Sequence, residues 1–355
     1  MAVYGGRSVP EAEGTVRGQI VKRILGAAGL ALAAWLIWRL GPDRVWDQLI
    51  HGYWPAFAGV LLIHVVQQSF GTIALWLLGT EGGGPAWRHT PVARLARVRY
   101  VGEVLNYALP TGAVGGEPYK YLMLRRAEGN RAAFHALAAA KFLHLAAIGP
   151  FGALIFFSSA VLGIGGESWR SPFFLLGVAS LVFAAGFWVL MLWKGLGRML
   201  LGGYYRIRHR VPRPLRKLRR FFHSDRAAAA HIQEAWGRTS AAYCLYIGMW
   251  AAAAAEWIMV AVVLGIDWRQ IGYTGAGLIE CASLIVGAVI PVPAGVGTQE
   301  AGKVFIAGVL GLSPQTGLAM SLIRRGREIL MVLLGVMLAA FEGRRRPASL
   351  EPGRD

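Results

Sequence analysis

Charge is scarce in this chain: Asp, Glu, Lys and Arg make up 16% of its 355 residues, where soluble domains carry about a quarter. A water-facing surface over most of the molecule is thereby excluded. Acids are scarcer still, 19 against 37 Lys and Arg, for a formal charge of +18. Cysteine is nearly missing, and Cys244 and Cys281 both fall inside apolar segments, which excludes a disulfide framework and shows no metal-ligand spacing. Catalytic signatures are missing too. There is no HExxH and no GxSxG, and GAVGGE and AGVGTQE lack the Lys-Ser/Thr that ends a nucleotide-binding phosphate loop. The expectation is a protein that is not an enzyme and needs no cofactor or metal.

What the chain has in abundance is apolar residues, 55% of the total. They are bunched at 24–40, 57–78, 132–161, 172–193, 239–264 and 316–341. A helix crosses the hydrocarbon core in about 20 residues, so these runs predict an all-α polytopic membrane protein with six full crossings. Arg17, Lys22 and Arg23 precede the first run, but the small triplet Ala31-Leu32-Ala33 lies inside it rather than after it. The pattern reads as an uncleaved first helix.

The basic residues are distributed unevenly. With alternate crossings, 1–23, 80–131, 198–238 and 342–355 share one side and collect 27 Lys and Arg, whereas the opposite loops hold Arg44, Arg170 and Arg269. Both termini are therefore expected in the cytoplasm. The densest stretch, YYRIRHRVPRPLRKLRRFF at 204–222 within a basic loop 202–226, reads either as an ordinary cytoplasmic loop or as a segment lying on anionic headgroups. Nucleic acid is excluded as a partner, since no recognition fold surrounds the loop.

Two regions are apolar yet broken by proline, glycine and acid. LPTGAVGGEPYK and VPAGVGTQEAGK share a register: from Pro110 and Pro293, glycine follows at +2 (Gly112, Gly295), glutamate at +7 (Glu117, Glu300) and lysine at +10 (Lys120, Lys303). At +31 and +34 stand Lys141 and His144 in one copy, and Arg324 and Arg327 in the other. These matches predict two inverted repeats, 1–162 and 163–355, each with a re-entrant helical hairpin, at 92–124 and 271–312. Arg94, Arg97 and Arg99 flank the first hairpin on one side and Arg125, Arg126 and Arg131 on the other. A turn at membrane depth survives only against protein or a watery cavity, and interrupted segments at matching places in inverted halves mark a transporter's substrate site.

Ionisable residues inside spans must be paired or wet. Glu117 and Glu300 are expected to start the second arm of each hairpin, where a carboxylate suits a helix N-terminus. They could pair with Lys141 and Arg324, 24 positions on, or bind a coupling proton or ion. Arg324 and Glu328 are spaced to neutralise each other on one helical face, which would leave Arg325 and Arg327 in surplus. Lys141, Arg324, Arg325 and Arg327 are thus candidates to bind a phosphate headgroup, with completion of internal ion pairs as the alternative. Asn106, Gln299 and Tyr119 are weaker candidates for polar lining. His144 lies at the level of Lys141, and Glu256 and Glu280 are further acids within spans.

GEVLNYALPTGAVGGEPYKYLML, IPVPAGVGTQEAGKVFIAGVLGL and SLIRRGRE resemble the membrane domain of lysylphosphatidylglycerol synthases and its stand-alone flippase-like relatives. The second and third stretches are most similar to the branch found among hopanoid-biosynthesis-associated membrane proteins. The resemblance spans roughly residues 20–342. It implies a bacterial inner-membrane protein that moves lipid or lipid-linked headgroups between leaflets, with membrane lipids as partners and lipid-biosynthesis enzymes as possible ones. The functional positions it implies are Pro110, Gly112, Glu117, Pro293, Gly295, Glu300, Arg324 and Arg327. The chain ends at Asp355, with no aminoacyl-transferase domain in the sequence, so it is not expected to make lysylphosphatidylglycerol by itself. Ala294 stands where the family usually has a second glycine, a slightly stiffer turn. A lipid translocase is the leading expectation, and a non-transporting scaffold for lipid or hopanoid biosynthesis enzymes the alternative.

Overall fold

A computed structural model describes residues 34–35, 38–82, 90–108, 116–128, 130–207, 236–289, 292 and 295–344. The hairpin positions Pro110, Gly112 and Pro293 lie outside the described residues, as do most of the first apolar run and residues 208–226 of the basic loop. Among the described residues the regular elements are helices: α1 (Pro42–Ile50), a 3-10 turn (Trp54–Ala56), α2 (Phe57–Gly82), α3 (Val92–Ala108), α4 (Glu117–Glu128), α5 (Asn130–Ala146), α6 (Ile148–Leu162), α7 (Glu167–Ile207), α8 (Trp236–Val263), α9 (Trp268–Val289), α10 (Thr298–Val309) and α11 (Pro314–Arg344).

Five helical stretches are long and apolar enough to cross a membrane: Trp54–Gly79, Ala136–Leu162, Glu167–Val189, Trp236–Val263 and Trp268–Val289. Four of them match expected crossings. The fifth, α9, is the first arm of the expected second hairpin; by length and composition it could cross, and it is kinked at Gly272 (φ 61°) near its start. α11 fails the same test because Arg324, Arg325, Arg327 and Glu328 interrupt its apolar run. Its length of 31 residues corresponds to about 46 Å of helix, ample for a bilayer once those charges are paired.

The most extensive packing is between α2 and α8, whose buried residues include Val60, Ala74, Ala253, Ala254, Trp257 and Val260. Around this spine the contacts interchange in pairs. α3 packs on α2 as α9 packs on α8, α4 on α5 as α10 on α11, and α3 crosses to α11 as α9 crosses to α6. Small residues permit the close approaches. A Cβ on Gly149 or Gly152 of α6 would press on Ala184 or Ser180 of α7, and one on Gly177 of α7 would press on Phe157. Helices in lipid, lacking a hydrophobic drive toward one another, associate through such close van der Waals packing. The span Glu167–Val189 of α7 is the least buried of the five, and it leaves Phe174, Leu175, Val178, Leu181 and Val182 exposed.

At one end of the molecule, Tyr53 N–H donates to Val263 O at 2.6 Å, tying the α1–α2 turn to the end of α8. Val45 of α1 packs on Leu318 and Ala319 of α11, while Trp46, Tyr53 and Trp54 remain exposed. Aromatic residues of this kind sit at headgroup level, where one edge is apolar and the other wet.

Candidate functional site

The described arms of the first hairpin, α3 and α4, cross where Gly102 meets Gly116: a Cβ on Gly116 would collide with the Gly102 backbone, and one on Gly102 with the Lys120 stem. Gly116 N–H donates to Asn106 Oδ1 at 2.7 Å, and Asn106 Nδ2 donates to Glu103 at 3.2 Å. Asn106 therefore cross-links the arms rather than merely lining a cavity. Lys120 Nζ is bound to Glu103 at 2.7 Å and Glu117 at 3.0 Å. Glu117 also faces Lys141 at 3.9 Å, so the expected partner is present but the nearer one is its own neighbour, one turn on. Arg99 is buried rather than flanking, and donates to both the backbone and side-chain oxygens of Gln68 on α2. That corrects its reading as a cytoplasmic flanking charge.

The second half carries a larger network, centred on α11. Arg324 binds the Glu280 carboxylate of α9 through both terminal nitrogens, the second at 3.3 Å. Its Nε lies 3.7 Å from Glu256. Arg325 reaches Glu300 of α10 at 2.8 Å and Glu328 at 2.7 Å. Arg327, 1% exposed, lies 3.2 Å from Glu256 and 3.9 Å from Glu328, and contacts the His64 ring of α2 at 2.6 Å. Three expectations are thereby corrected. Glu300 pairs with Arg325, not Arg324; Glu328 answers Arg325 and Arg327 rather than Arg324; and neither Arg325 nor Arg327 is in surplus. The reason is helical geometry: each residue turns the side chain by about 100°, so consecutive arginines on α11 face different neighbours.

Trp257 of α8, fully buried, organises the inner edge of this network. Its Nε1–H donates to Glu280 at 2.8 Å. Its ring carries Arg324 at 4.6 Å and Lys303 at 5.3 Å from the centroid, both within the reach of a cation–π contact.

Between the two networks lies a cavity of about 1180 Å³. Its polar lining comes from both halves: Arg99, Glu103, Asn106, Glu117, Lys120, Lys141 and His144 from the first, and Glu280, Gln299, Lys303, Arg324 and Glu328 from the second. Gly295, at φ 64° in the turn before α10, lines it as well. Glu300, Arg325 and Arg327, expected as site residues, are set behind this lining. His144 stands against Tyr246 and Trp250 at edge-to-face geometry, and Tyr119 packs half-buried against the apolar core. The opposite wall is apolar, made by α6 and α7. Leu145, Leu176, Phe183 and Ile285 line the cavity and each keeps more than a third of its surface exposed.

Several contributors carry no weight in a motif search: Glu103, Arg99, Gln68, His64 and Trp257. A signal did exist for two of them. His64, Gln67 and Gln68 interrupt an otherwise apolar span at i, i+3 and i+4, which places three polar side chains on one helical face. Among the described residues no three His, Cys, Asp or Glu side chains converge as metal ligands would.

A bundle of apolar helices, with glycine-mediated contacts and an interior cavity charged on one side and apolar on the other, defines a multi-pass membrane protein. Residues 26–335 match the family described as the lysylphosphatidylglycerol synthase TM region, and the chain belongs to that family. No curated protein matches it.

Proposed function

We propose that the protein is a lipid translocase of the bacterial inner membrane. It takes a lipid headgroup carrying phosphate into the cavity while the chains stay in the bilayer. The observation that carries this reading is the two-sided cavity, charged on the faces of α3, α4, α9, α10 and α11 and apolar on α6 and α7; in this reading its partly exposed apolar lining, Leu145, Leu176, Phe183 and Ile285, is where the chains leave toward lipid. A solute carrier would have no use for such an exit, whereas a lipid needs one to keep its tail out of the charged interior.

The interchange of helix contacts about the α2–α8 spine supports two inverted repeats, 1–162 and 163–355, with both termini cytoplasmic on the charge distribution of the loops. In this reading the protein transports rather than catalyses. The test is leaflet exchange of labelled phosphatidylglycerol, polyprenyl phosphate and, because of the likeness to the hopanoid-associated branch, a neutral hopanoid in liposomes holding the purified chain. Exchange of a phosphate lipid, lost in Arg324→Ala, is the expected result. Absence of exchange for every lipid in correctly inserted protein, with and without a pH gradient, would sink the proposal.

A further inference from the structure

The repeat motif places Lys120 and Lys303 at the same register, yet the structure treats them oppositely. Lys120 is saturated by two carboxylates, Glu103 and Glu117. Lys303 is 3% exposed and lines the cavity, but it forms no ion pair with any described carboxylate. Its own repeat glutamate, Glu300, has turned away to Arg325. What Lys303 has is one hydroxyl, Ser321 Oγ at 3.3 Å, and the Trp257 ring. An ammonium has three N–H donors. One points at Ser321 and the ring occupies another direction, so the remaining donor has the cavity for its acceptor. A buried ammonium without an acid partner is costly unless something anionic completes it.

We propose that Lys303 is the receiving cation of the cavity and that its ligand is the phosphodiester of a lipid headgroup whose net charge is a single negative one. The inference rests on the lipid reading of the cavity given above. The single charge follows from the surrounding inventory. Arg324 is committed to Glu280 and Glu256, Arg325 to Glu300 and Glu328, and Arg327 to Glu256 and His64. Across both networks, the described bases Arg99, Lys120, Lys141, Lys303, Arg324, Arg325 and Arg327 outnumber the acids Glu103, Glu117, Glu256, Glu280, Glu300 and Glu328 by one. One negative charge closes that set; a phosphomonoester dianion overfills it. Arg324 lies on the same Trp257 face and the N-terminal turn of α10 contributes Gln299 to the lining. The phosphate is therefore met on one side by charge and on another by the donors at a helix start.

The experiment is lipid retention by the purified full chain in detergent, read by native mass spectrometry with added phosphatidylglycerol, phosphatidylcholine or phosphatidic acid. Wild type should retain phosphatidylglycerol over the other two. Lys303→Met, which keeps the stem and removes the charge, should lower that retention about tenfold or more, the loss of one charge-assisted hydrogen bond. Soluble glycerophosphoglycerol at equal concentration should not displace the lipid; displacement would overturn the lipid as source. Equal retention by wild type and a folded Lys303→Met would overturn the proposal. So would a wild-type preference for phosphatidic acid or phosphatidylcholine, which needs no variant to fold. Retention that follows the expected pattern in a protein that exchanges no lipid would refute the transport reading and leave the anion site standing.

Discussion

Glu256 is 0% exposed and sits between two arginines of α11, with Arg327 Nε at 3.2 Å and Arg324 Nε at 3.7 Å. At an effective dielectric of about 20, each of these pairs is worth about 5 kcal/mol of Coulomb attraction. Desolvation of each ion costs several kcal/mol in return, so the pair stabilises little in total while its disruption is expensive. Glu256→Gln removes the charge at nearly constant volume and leaves both guanidinium groups short of an acid. The expected loss of stability is about 3–5 kcal/mol, the usual cost of stranding a buried charge. Thermal unfolding in detergent, followed by fluorescence or size exclusion, reads it as a lowered midpoint. The double variant Glu256→Gln with Arg327→Met removes a charge from each side, and its midpoint should recover at least part of the way toward wild type. Two results would refute the reasoning: a Glu256→Gln protein as stable as wild type, or a double variant whose loss is the sum of the two single losses, since contacting partners in one network do not add.

Arg324→Ala should abolish phosphate-lipid exchange while leaving the chain inserted, as liposome exchange and size exclusion together will show. Gly116→Ala should splay the first hairpin, because its Cβ meets the Gly102 backbone; a sharp drop in folded yield is the readout. Gly186→Ala on α7, where a Cβ meets nothing within 4 Å, should be neutral or raise stability by up to about 1 kcal/mol through helix propensity. Ala179→Trp, on the apolar wall of the cavity, should block lipid exchange without lowering the thermal midpoint.

The helical class and the membrane were legible in the length and spacing of the apolar runs, because backbone groups in lipid leave helices as the only structure those runs can take. The positions of Glu117 and Glu300 in the first turn of their helices were legible too, since Pro and Gly just upstream stop the preceding arm. The pairing of the charges was not. Spacing shows that Arg324, Arg325 and Arg327 share a helix, but which helix each faces depends on the rotation of α11 about its axis. That rotation is set by packing partners such as Val104 against Gly335 and Val45 against Leu318. Lys303 and Lys120 look equivalent in the repeat for the same reason, and only the turn of Glu300 toward Arg325 separates them. Glu103 was hidden because a lone glutamate beside a glycine has no motif of its own.

The three arginines of α11 each hold a different part of the protein: Arg324 grips α9, Arg325 grips α10, and Arg327 grips α2 and α8. All three grips depend on one rotational setting of one helix. Turning α11 by a single residue's angle would exchange or break every one of them together, while turning it by a few degrees would weaken all and free none. The second hairpin therefore meets the α2–α8 spine twice, through the direct packing of α9 on α8 and through the charges of α11, and a rotation of that one helix would disturb all three grips together.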